Sequence, residues 1–134
     1  MKTTVLTILF LSIIGSTQYH KDTRITTMDF VQILNDNREE VDYYYENNWK
    51  LLRDKAIKKG YIESYQLLET SYSEDAPFHL ILITTYPNKE RYDKREENFA
   101  VLIEEKGPRR LLNNKQPSEF RKIVFSKDKV VHKY

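Results

Sequence analysis

The stretch Phe78-His79-Leu80-Ile81-Leu82-Ile83-Thr84-Thr85-Tyr86 decides the fold. It is long enough for one strand and far short of the roughly twenty apolar residues that span a bilayer. Alternation sends Phe78, Leu80, Leu82 and Tyr86 to one side and His79, Ile81 and Ile83 to the other, so neither side is suited to water. Such a strand belongs in the middle of a sheet that is covered on both faces.

Working outward, Tyr61 to Thr70 alternates as a second strand, and Ser71 to Pro77 is a loop with turn-forming Ser73, Glu74, Asp75 and Pro77. On the other side, Pro87-Asn88 ends the central strand and caps a helix over 89–106, closed by Gly107-Pro108. Its buried stripe is Tyr92, Phe99, Leu102 and Ile103, and Arg95 and Glu96 fall within the same arc. Upstream, Ile25 to Leu34 reads as the first strand. Asn35-Asp36-Asn37 supplies turn and N-cap chemistry, and Glu39 and Glu40 suit the first turn of a helix that runs to Lys59 with Gly60 at its C′ position. Val41, Tyr45, Trp49, Leu52 and Ala56 form the buried stripe of that helix, with Tyr44 and Leu51 on its shoulder and the amide of Asn48 inside it. A loop over 107–118 carries Arg109 and Arg110, and the last strand spans Glu119 to Ser126.

The order β-α-β-β-α-β predicts an α+β, ferredoxin-like domain: a four-stranded antiparallel sheet, order 4-1-3-2, with both helices on one face. The other face is left open, yet Phe30, Val31, Ile33, Ile81, Ile83, Ile123 and Phe125 provide apolar residues of both parities. Leaving about half a dozen of them in water, at roughly 1.5 to 3 kcal/mol each, approaches the whole stability of a small domain. Sheet-to-sheet packing against a second copy is the simplest symmetric cover, so a homodimer is expected.

The chain has 134 residues, which suits a single domain over 19–134. Residues 1–18 combine Lys2, the apolar run Val5 to Ile14 and small residues at Gly15-Ser16-Thr17, the pattern of a signal peptide. The expected location is periplasmic or secreted, with no membrane span in the mature chain. Without cysteine there is no disulfide framework and no lipid-anchor site. Removing 1–18 leaves 21 basic against 20 acidic side chains, a balance that does not suit a nucleic-acid binder.

The passage Leu80 to Tyr92, with its strand, aromatic, turn, capping residue and acidic residue, together with Asn98-Phe99, resembles the dimeric α/β-barrel superfamily, which includes antibiotic-biosynthesis-monooxygenase-like and stress-responsive barrel proteins. The resemblance covers about 25–126 and implies the same fold, a sheet-paired dimer and a ligand cavity between helices and sheet. Oxygenase members often carry a histidine in the second helix, at a place held here by Arg95. Haem-degrading relatives combine Asn, Trp and His; here Asn48 and Trp49 both stand on the first helix.

The candidate cavity-lining residues are therefore Tyr45, Asn48, Trp49, His79, Arg95 and Glu96. His79 suits a proton carrier or ligand contact, and the Arg95-Glu96 pair suits placing a carboxylate ligand or polarising a substrate. Each also has a plain structural reading: an aromatic core stripe with a bonded amide, a satisfied strand histidine, and an ion pair to the sheet edge, to Glu63 or across the dimer. No second histidine or cysteine stands at metal-ligand spacing and no glycine-rich phosphate loop is present, so no metal or cofactor is expected. The function expected is binding of a small hydrophobic or aromatic molecule in the helix-sheet cavity. The alternative is a cofactor-independent monooxygenase or isomerase.

Overall fold

In the computed structural model of the chain, which describes residues 15–16, 18 and 20–134, four strands form one antiparallel sheet. They are β1 (Ile25–Ile33), β2 (Ser64–Glu69), β3 (Leu80–Tyr86) and β4 (Arg121–Val131), in the order β2-β3-β1-β4. The first crossover holds α1 (Arg38–Tyr44), a π-helical turn (Tyr45–Trp49) and α2 (Lys50–Lys58). The second holds α3 (Lys89–Asp93), α4 (Arg95–Lys106) and the single turn α5 (Pro117–Phe120). This is the ferredoxin-like arrangement, with the quoted stretch at its centre as β3. The apolar run of the expected signal peptide lies outside the described residues.

The register fixes the faces. Val31 pairs with Leu80 and Phe30 with Ile81. Val31, Ile33, Leu80 and Leu82 pack with Val41, Tyr45 and Phe120 beneath the first crossover. Tyr86 packs with Ala56, Ile62, Tyr92 and Leu102 where the two long helices meet. The opposite face carries Met28, Phe30, Ile81, Ile83, Leu68 and Phe125, none of them buried, with Leu68 43% and Phe125 42% exposed. Phe78 joins this face instead of the helix side: it precedes the strand, and its ring meets Phe30 edge-on at 4.9 Å and Phe125 at 6.0 Å, while Phe30 and Phe125 stack at 4.3 Å.

The first helix begins after Asn35 and Asp36, both in the left-handed region at φ 53° and 56°, which short polar side chains tolerate. Asn37 holds the N-cap position, but its side chain caps nothing; its amide nitrogen donates to the carbonyls of Leu34 and Glu119 and ties the helix to α5. At the far end Gly60 (φ 69°) closes a Schellman motif, with Gly60 N–H donating to Ile57 O (3.0 Å) and Tyr61 N–H to Ala56 O (2.9 Å). That turn consumes Tyr61 and delays β2 to Ser64. In the second crossover Asn88 caps as expected, accepting from Arg91 N–H at 2.9 Å, but the helix is interrupted at Lys94.

The last strand starts later and runs further than periodicity suggests. Pro117 sits in the first turn of α5, where Gln116 and Glu119 complete a capping box, so Glu119 and Phe120 are helical. Two register shifts against β1 then place Phe125 opposite Phe30 but Ile123 opposite Val31. Ile123 and Phe125, of the same parity in the sequence, therefore lie on opposite faces.

Candidate functional site

The middle of the first helix is built around a π turn. Lys50 N–H donates to Tyr45 O, one residue further back than an α-helix allows. The amide nitrogens of Asn47 and Asn48 reach back to Tyr43 O and Tyr44 O, both at 2.9 Å, acceptors that an uninterrupted α-helix offers to the backbone N–H of the same two residues. The extra residue turns everything after it by about 100°. Arg53, which lies roughly 120° from Val41 in an ideal helix, is brought round to face the sheet.

Arg53 is the centre of the helix-sheet cleft. Its guanidinium lies 4.6 Å from the ring centroid of Trp49 and 4.6 Å from that of Phe99, joining the two crossovers through stacked contacts. Its Nε approaches Thr84 Oγ1 at 3.5 Å, the limit of a hydrogen bond. Among the described residues no carboxylate stands within 4.0 Å of it. Burial pushes its pKa down to about 10, which leaves it charged at neutral pH. Beside it opens a cavity of about 280 Å³ lined by Thr27, Asp29, Tyr86, Arg95 and Phe99, with Leu52 and Ile103 supplying apolar wall. Burial also raises the Tyr86 hydroxyl, against the pull of Arg53 and Arg95. Of the acids around the cavity, Asp29 accepts from Ser126 Oγ at 2.5 Å, and the Glu96 side chain is 91% exposed.

The residues singled out from the sequence are distributed over several places. Arg95 and Glu96 line this cavity. Arg95 does not reach Glu63, which stands 3.7 Å from Arg24 instead; because the helix restarts at Arg95, its guanidinium folds back 4.1 Å over the Tyr92 ring and donates to Tyr92 O at 3.0 Å. Tyr45 and Trp49 line a second hollow of about 400 Å³, on the β2 side with Tyr65 and Leu67. Burial raises the Tyr45 hydroxyl as well.

Asn48 is fully engaged elsewhere. Besides Tyr44 O, its amide donates to Arg110 O (2.8 Å) and accepts from Arg110 N–H (2.8 Å) and Lys106 Nζ (2.7 Å). All four bonds of an amide are made, and they pin the loop after α4 onto the first helix. Lys106 is held there with its pKa lowered by burial and by Arg110, Lys55 and Arg109.

His79 faces neither side of the sheet. Its Nδ1 accepts from Ile33 N–H at 3.0 Å, in place of a backbone carbonyl, so the ring carries its proton on Nε2. Tyr72 stacks on it at 5.3 Å. Tyr86 and the cavity lie at the other end of β3, some 20 Å along the strand. Asn48, His79 and Arg95 are thus not brought to one cavity. Among the described residues no group of three or more histidine, cysteine or acidic side chains is placed to hold a metal ion, and no helix is long and apolar enough to cross a membrane.

No protein-family model matches the chain, and no curated protein matches it in sequence. The fold is similar to the crystal structure of HapK from Hahella chejuensis, with a TM-score of 0.46 and 11% sequence identity, over 82% of this chain and 96% of that one.

Proposed function

We propose that the chain is an exported homodimer of the dimeric α/β-barrel type that binds a small molecule in the cleft between its helices and sheet. The observation that carries this reading is Arg53, a cation turned toward the sheet by a π turn and held between Trp49 and Phe99 beside a cavity of about 280 Å³. A contact that only needed packing has no use for a guanidinium there: Arg53 is half-buried between two aromatic rings, with no hydrogen-bond partner for its terminal nitrogens among the described residues. The cavity lies just under the range typical of ligand sites and is lined by charged side chains and the hydroxyl residues Thr27 and Tyr86, with Leu52, Phe99 and Ile103 as its apolar part. That mixture fits a compact amphipathic molecule better than a purely hydrophobic one. The half-buried Phe30 and Phe78 and the exposed Phe125 support pairing of two open sheet faces.

The test is a fragment screen by NMR on the mature chain. Compounds that occupy the cleft shift the resonances of Arg53, Tyr86 and Phe99 together, and lose affinity in Ile103→Trp, which fills the rim. A screen in which bound compounds leave those three residues unmoved overturns the reading. For export, the N-terminus of protein recovered from the producing cell's exterior or periplasm is expected near residues 16–18.

A further inference from the structure

We infer that the cleft is built for a small carboxylic acid with an apolar body, its carboxylate held by the free edge of Arg53. This deepens the reading above and rests on it. The aromatic rings of Trp49 and Phe99, each 4.6 Å from the guanidinium, satisfy its faces. They offer no acceptor for its in-plane N–H groups. Nε has only the long contact to Thr84 Oγ1, and the two terminal nitrogens have no hydrogen-bond partner among the described residues. Neither of those nitrogens is a sealed, unpartnered donor, unlike the buried Nε of Arg121. They are therefore open to an incoming group, and a fork of two N–H donors in one plane matches a carboxylate.

The surroundings narrow the anion further. Tyr86 adds a hydroxyl, and Arg95 a second positive charge on the same cavity. Against these, Asp29, Glu96 and Asp128 also line it. Three acids against two arginines leave the lining with one net negative charge, so a carboxylate is held by the local fork of Arg53 and not by the field of the whole cavity, and a dianion such as inorganic phosphate is a poor fit. Leu52, Phe99 and Ile103 supply a wall for the apolar body of the acid, and the volume limits that body to about one or two rings.

Trp49 provides the readout, because the chain contains one tryptophan and that ring touches Arg53. Benzoate and 1-naphthoate are titrated against benzamide, 1-naphthamide and inorganic phosphate, following the single indole N–H resonance. The expected result is saturable binding of the acids, at least about tenfold tighter than of the matching amides, with phosphate inert. Arg53→Gln should abolish the preference for acid over amide, and Arg53→Lys should restore part of it, with thermal melting showing that each variant is folded. If Arg53→Gln does not fold, the acid-amide comparison on the unaltered chain decides alone. Equal binding of acids and amides overturns the carboxylate inference while leaving the cleft as a ligand site. Binding of neither, or of phosphate in preference, overturns the inference as well.

Discussion

Asn48 is the residue on which the first helix and the loop after α4 depend together. Its side chain closes four hydrogen bonds to groups from three segments: Tyr44 O on its own helix, Lys106 Nζ at the end of α4, and both backbone groups of Arg110. At 5% exposure the side chain leaves little room for water to replace it. Asn48→Ala strands the Arg110 N–H and C=O and loosens Lys106, and each buried group left unpaired costs roughly 1 to 3 kcal/mol. We expect a loss of about 2 to 4 kcal/mol, seen as a lower urea midpoint at unchanged slope. Asn48→Asp should recover little, because it keeps the acceptor but replaces the NH2 group and its two donors by one oxygen facing two carbonyls. A midpoint within experimental error of the parent would refute the clamp. The amide's place inside the aromatic stripe is plain from helical spacing; its partners are not, since Arg110 lies 62 residues away in a loop without periodicity.

Among the elements, the first helix is shaped by its two irregularities. Gly60 ends it in the left-handed region, where a Cβ would meet nothing within 4 Å, so the cost of a side chain there is conformational rather than steric. Gly60→Ala should destabilise by about 1 kcal/mol, and Gly60→Asn by less, because asparagine tolerates that region; thermal melts of the two variants beside the parent check the order. This stop signal is legible in the sequence, as are the central strand and the cap at Asn88, because each rests on residue types with a strong local preference, and the strand order follows from the order of the elements. The π turn and the two shifts in β4 are not. Each changes the count by a single residue, which leaves composition and pattern nearly intact while moving every later side chain to another face. That is how helical spacing passes over Arg53, although it follows Trp49 at the i, i+4 distance of an aromatic-cation neighbour, and how Ile123 and Phe125 are assigned to one face. His79 escapes for a different reason: a side chain that replaces a backbone acceptor has no signature in alternation.

For the whole molecule, the open sheet face sets the strongest constraint. Phe30, Phe78 and Phe125 form a cluster of touching rings on it, flanked by Met28, Ile81, Ile83 and Leu68, and among the described residues helices cover only the other side. A stable pair needs about 800 Å² from each partner, with an apolar centre and a polar rim. The face has that anatomy, with Gln32, Gln66, Lys122 and Lys127 around the rings by register. A two-fold interface sets one patch against its own copy, so a charge at Phe125 would be buried unpaired in both halves of the apolar centre. Phe125→Glu should therefore shift the chain from dimer to monomer in sedimentation at micromolar concentration. The melting temperature of the parent should rise with protein concentration, as required when folding is coupled to association, and that of the variant should not. The helix-side core, which Phe125 does not enter, should keep the separated monomer folded. A parent chain that sediments as a monomer at micromolar concentration, with a melting temperature independent of dilution, would remove the dimer and leave the phenylalanine cluster to be covered by something other than a second copy.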